Sequence, residues 1–112
     1  MRTLLGMLVV VLGMLGLAAP ASATVCDPGT ICLWPLPGFQ GPMEVVGIED
    51  VVLGDCLPLE GEYRSFVNRL KQDVTVYESV ECATEADFTT YPGLGTYVPS
   101  TPFVVRGIQA WA

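Results

Sequence analysis

The chain has 112 residues with twelve acidic and five basic side chains, four cysteines and no histidine. Its net charge of −7 excludes a nucleic-acid or anionic-membrane partner that needs a basic patch. The lack of histidine excludes His-dependent triads and dyads and removes the commonest zinc ligand.

In chain order, Met1-Arg2 opens a run, Leu4 to Ala19, that is apolar apart from its glycines and closes on Pro20-Ala21-Ser22-Ala23. A positive start, an apolar middle and small residues before a break describe a secretory signal peptide over 1–23, cleaved after Ala23. The run is just long enough to be weighed as a membrane anchor. The Ala-Ser-Ala ending and the polar Thr24–Gly29 that follow favour cleavage, with no membrane association afterwards. The chain is therefore expected to be secreted and extracellular. The mature part, 24–112, would be one small domain of 89 residues carrying four basic against twelve acidic side chains. At that size a core alone is marginal and covalent staples help.

All four cysteines, Cys26, Cys32, Cys56 and Cys82, lie in the mature part. An even number in a short exported chain reads as two disulfides. Of three possible pairings, Cys26–Cys32 with Cys56–Cys82 is preferred. The first closes a tight loop over the turn-forming Asp27-Pro28-Gly29-Thr30. The second joins the two halves and would restrict the unfolded chain by about 3–4 kcal/mol.

No mature segment has helical periodicity. Short runs rich in β-branched and aromatic residues, separated by Gly, Pro and Asp, predict an all-β fold. The expected strands are Ile31–Trp34, Met43–Val46, Ser65–Arg69, Val74–Tyr77, Phe88–Tyr91 and Val104–Trp111. Ile48–Leu53 fits either a strand or a helical turn. After the first strand, Trp34 leads into Pro35-Leu36-Pro37-Gly38-Phe39-Gln40-Gly41, where the prolines forbid helix and Gly38 supplies turn freedom. Phe39 can then fold back near Trp34, and Gly41 suits a backbone that needs positive φ.

The pattern recurs. Ile31–Trp34 resembles Val74–Tyr77 at an offset of 43, and Tyr63–Phe66 resembles Val105–Ile108 at an offset of 42. Two anchors with nearly one spacing predict two copies of a supersecondary unit, about 30–70 and about 73–112. Each suits a Greek key, and two would pack as a small sandwich.

Trp34…Phe39…Gly41, followed downstream by Ser65-Phe66-Val67-Asn68, resembles the βγ-crystallin Greek-key signature. The start Cys26…Gly29…Cys32 and the stretch Arg64-Ser65-Phe66-Val67-Asn68 narrow it further. The chain resembles secreted actinobacterial proteins of peptidase inhibitor family I36, whose type member is a Streptomyces metalloproteinase inhibitor. In the second unit Tyr77 keeps the first aromatic, but Cys82 and Thr84 replace the second aromatic and the glycine. The resemblance implies a βγ-crystallin-like sandwich of two Greek keys, which the acidic composition and the two expected disulfides accompany. It also implies an inhibitor of an extracellular protease, a metalloprotease by preference. A monomer is expected. Trp34, Phe39, Gly41, Ser65, Asn68 and Tyr77 are read as architecture. The alternative is a non-inhibitory crystallin-like structural or surface-interaction module.

Two segments are candidate inhibitory loops, the alternative for both being an ordinary disulfide-tethered loop. Ser79–Asp87 would be pinned at Cys82, with Glu81, Cys82 and Ala83 as contacts. In Gly54–Leu59, Leu57 and Leu59 would enter an apolar specificity pocket around Pro58. Glu81 or Asp55 would offer a carboxylate to a protease zinc ion. No enzyme activity is expected, since Lys71 lacks a nucleophile motif and the carboxylate pairs Glu49-Asp50, Glu60…Glu62 and Glu85…Asp87 belong to a chain too small for a deep cleft. Many crystallin-type keys bind calcium, but the fifth motif position, which should supply a hydroxyl, is Arg64 in one unit and Arg106 in the other. A guanidinium has no acceptor. No metal or cofactor is expected, and Arg64 is expected to pair with Glu60 and Glu62.

Overall fold

The computed structural model describes residues 25–112; the expected signal peptide at 1–23 lies outside the described residues. Eight strands follow one another: β1 (Thr30–Trp34), β2 (Glu44–Gly47), β3 (Cys56–Tyr63), β4 (Ser65–Asn68), β5 (Val74–Tyr77), β6 (Phe88–Tyr91), β7 (Thr96–Val98) and β8 (Val105–Ala110). Ile48–Asp50 is a single 3-10 turn, and no α-helix occurs among the described residues. The all-β expectation holds, as does the disulfide pairing: Cys26–Cys32 and Cys56–Cys82 are both formed.

The strands make two antiparallel sheets ordered β2-β1-β4-β7 and β3-β8-β5-β6. Each takes three strands from one half of the chain and its outer strand from the other. β3 leaves the first half to pair with β8, and β7 leaves the second half to pair with β4.

Neither exchanged strand was among those expected from the sequence. β3 contains Pro58 and Gly61, which read as breakers, but it lies at a sheet edge. There Pro58 loses no inward ladder bond, and the register shifts between Pro58 and Tyr63. β7 has only three residues, set between Gly95 and Pro99.

The main core lies between the sheets. Alternation on β1 sends Ile31 and Leu33 inward, where they meet Phe66, Leu59, Val74, Val76, Val105 and Ile108. Tyr91 closes one side, its ring 5.1 Å from that of Phe66 in an edge-to-face pair. The other face of β1 carries Cys32 and Trp34, which are also buried. They are covered by Cys26, Val67 and the returning Phe39, a second apolar cluster outside the first sheet.

The turn after β1 is what covers them. Trp34 and Phe39 pack edge to face at 5.1 Å. Phe39 has φ 62 and Gly41 φ 97; a Cβ on Gly41 would come 2.7 Å from the Pro35 ring. A non-glycine residue in the left-handed region is strained by about 1–2 kcal/mol. The restraint comes from β4. The fully buried Ser65 Oγ accepts the Phe39 N–H at 3.0 Å and donates to the Leu36 carbonyl at 2.7 Å. Asn68, also fully buried, donates from Nδ2 to the Gln72 and Pro92 carbonyls and accepts the Leu70 N–H, so three segments meet on one amide.

At the other terminus, Trp111 donates its backbone N–H to the Asp73 carbonyl and its indole N–H to Thr75 Oγ1 at 2.8 Å. This fastens the end of the chain to β5.

Replacing Ser65 by alanine leaves the Phe39 N–H and the Leu36 carbonyl without their partner. Chemical denaturation is expected to show a loss of about 2 kcal/mol, within the usual range for stranded polar groups. Burial lifts the Tyr63 phenol above its ordinary 10.0, helped by the Glu44 and Glu60 carboxylates, and burial alone lifts Tyr91. A raised pKa stabilises the fold below the unfolded value and is lost as pH rises through the folded value. The urea midpoint is therefore expected to fall above pH 10, with tyrosinate absorbance of the folded chain lagging that of the unfolded chain. Tyr63→Phe with Tyr91→Phe should remove the lag.

Candidate functional site

The second half repeats the hairpin geometry with different chemistry. Cys82 stands 43 positions after Phe39 and has φ 58, matching the left-handed Phe39. Gly107 stands 42 positions after Ser65 and has no hydroxyl to offer. A Cβ there would lie 2.7 Å from the Ser79 carbonyl oxygen and 3.2 Å from Cys82 Sγ. The hairpin thus sits directly on β8, and the Cys56–Cys82 bond holds it where Ser65 holds its counterpart. Arg106 adds a hydrogen bond to the Glu78 carbonyl at 3.3 Å.

Around this bond two tight turns come together. In one, the Asp55 N–H closes on the Val52 carbonyl at 2.9 Å, and Gly54 is tied to β8 through the Ala110 carbonyl. In the other, the Cys82 N–H closes on the Ser79 carbonyl at 3.1 Å while Ser79 Oγ accepts the Glu81 N–H. Asp55 adjoins Cys56 and Glu81 adjoins Cys82, so the bridge carries an exposed carboxylate on each side. Val52, Leu53 and Val80 are exposed at the same turns. The result is a covalently clamped ridge with apolar and acidic side chains facing solvent.

The expected contacts separate on this geometry. Glu81 is exposed, while Cys82 and Ala83 are half-buried beneath it. Leu57 and Leu59 do not belong to a loop. Both lie on β3, where Leu59 is part of the main core and the half-buried Leu57 packs against it. The alternation Leu57, Leu59, Gly61, Tyr63 against Pro58, Glu60, Glu62 was the signal for that strand. The ridge apolar residues Val52 and Leu53 were missed because Ile48–Leu53 had no clear assignment.

The expected ion pair is also corrected. Arg106, not Arg64, binds Glu62, at 3.1 Å, the one ion pair among the described residues. The register explains it: β8 runs beside β3, pairing Val105 with Tyr63, whereas Arg64 lies between β3 and β4 where the chain passes from one sheet to the other. Among the described residues no three of His, Cys, Asp and Glu gather as a metal-binding group.

Comparison with models of known protein families matches residues 19–89 to peptidase inhibitor family I36. The chain belongs to that family. The matched segment contains all four cysteines, the Trp34–Gly41 turn and the whole clamped ridge. No curated protein and no solved structure matches the chain. Membership of I36 makes this an inhibitor-like protein rather than an enzyme.

Cys56→Ala with Cys82→Ala removes the clamp. Loop-entropy arguments give a loss of about 3 kcal/mol. Amide exchange should locate the local part of it: the residue 82 amide, bonded to Ser79, opens without global unfolding, while the β1–β4 ladder loses no more protection than the drop in global stability accounts for.

Proposed function

We propose that the protein is a secreted inhibitor that seats the Cys56–Cys82 ridge in the active-site cleft of an extracellular protease. The observation that carries this reading is the pair of turns locked by one disulfide, in a chain of a peptidase inhibitor family. A ridge rigid before binding loses little conformational freedom on docking. It does not imitate an extended substrate: residues 79–82 form a turn and Cys82 is left-handed. The exposed carboxylates of Asp55 and Glu81 favour a metalloprotease target, since zinc accepts carboxylate oxygen as a ligand.

The apolar, positively started segment at 1–23 supports export, and the disulfides suit an oxidising compartment. The exchange of β3 and β7 gives both sheets the same strand order, which favours two crystallin-type Greek keys in one monomeric domain. A non-inhibitory crystallin-like module is the second reading. It draws on the replacement of the second aromatic by Cys82 and of the clip serine by Gly107.

The test is a titration of oxidised Thr24–Ala112 against thermolysin-type, serine and cysteine proteases. Stoichiometric inhibition of the zinc enzyme at sub-micromolar concentration is expected. Asp55→Asn with Glu81→Gln should weaken it at least tenfold, about 1.4 kcal/mol. Unchanged inhibition by that variant removes the carboxylate role. Slow proteolysis without inhibition selects the second reading.

A further inference from the structure

A groove of about 500 Å³ opens at the end of the first sheet, and none of the ridge residues lines it. Its walls include Pro28, Ile48, Leu70 and Leu94, with Arg69 and Lys71 beside them and no acidic residue. This is anomalous in so acidic a chain. Two of the four cations in residues 25–112 line this one groove. Neither has a carboxylate partner, since the one ion pair among the described residues is Arg106–Glu62. Arg69 gives one guanidinium N–H to the Cys26 carbonyl at 2.7 Å, which fixes its position and leaves its other donors free.

Leu94 is the second anomaly. It has φ 69 and is 82 % exposed, the most exposed of the large apolar side chains among the described residues. Its backbone is pinned by N–H donation to the Leu70 carbonyl, with Gly93 and Gly95 on either side. Glycine would adopt this backbone without strain. A leucine here is strained and leaves most of its apolar surface in water, so the fold gains little packing from it.

The geometry points to a binding site for the C-terminal end of a peptide whose last residue is large and apolar. The carboxylate would lie between Arg69 and Lys71 and the side chain against Leu94 and Ile48. Strand addition is disfavoured, because the N–H groups of Gly29, Ile48, Leu94 and Gly95 are already bonded within the fold. The free side-chain donors in its lining are Arg69, Lys71 and the neutral amide of Gln72, and the two cations suit an anion. The volume falls in the small-ligand range and holds only a few residues, so charge and apolar group must come from the same short end. Peptide-bond hydrolysis after apolar residues is the reaction class that generates such ends. This site is independent of the ridge reading.

The probe is acetyl-Gly-Gly-Leu-Leu as free acid and as C-terminal amide, titrated into oxidised Thr24–Ala112 while backbone amide shifts are followed. The free acid should saturate at millimolar concentration or below, moving Ile48, Lys71, Leu94 and Gly95, with the amide at least tenfold weaker. Lys71→Glu, a surface change, should weaken the acid at least tenfold. Leu94→Gly should also weaken it, while the melting temperature stays level or rises. Equal binding of acid and amide, no saturation by about 10 mM, or full binding by both variants overturns the proposal.

Discussion

One buried hydroxyl sets the geometry of the first half. Ser65 Oγ bonds both a donor and an acceptor of the hairpin after β1. It thereby holds Phe39 in a backbone conformation that an isolated chain would avoid. Phe39 then covers Trp34, and together with the Cys26–Cys32 bridge the outer face of β1 becomes apolar and dry. A strand buried on both faces is unusual in an antiparallel sheet, where one face is commonly solvated. The hairpin makes it possible.

The second half meets the same geometric demand by covalent means. With Gly107 in the serine position and Cys82 in the aromatic one, the Cys56–Cys82 bond holds the returning hairpin. That change does more than replace one restraint by another. The hydroxyl clip acts within the first half alone, whereas the disulfide reaches from β5–β6 to the start of β3 and so gathers a second turn, Val52–Asp55, beside the first. The ridge exists because the anchoring group came from a different strand.

Much of this was legible in the sequence, for physical reasons that also mark where legibility ended. β1, β5 and β6 announce themselves by β-branched and aromatic residues between breakers, and their observed bounds lie within one residue of those expected. The cysteine pairing followed from loop length and turn composition. β3 was hidden because Pro58 and Gly61 are penalised by local propensity, while an edge position removes most of that penalty. That single omission misplaced Leu59 into a loop and assigned Glu62 to the wrong arginine. Both errors are about which strands become neighbours, and strand neighbours are fixed by tertiary pairing rather than by local pattern. The basic groove has the same origin: Arg69 and Lys71 join Ile48 and Leu94 only once β2, β4 and β7 are in one sheet.

The exchange of outer strands has a bearing on survival among proteases. Each sheet is completed by a strand from the other half, and the Cys56–Cys82 bond crosses between the halves as well. A cut in the short connection between β4 and β5 would sever the backbone without freeing either piece. Two interdigitated edges and one covalent link would keep the fragments registered, and Asn68 would still hold the ends through Gln72 or Pro92. A molecule built this way can be nicked and remain the same shape.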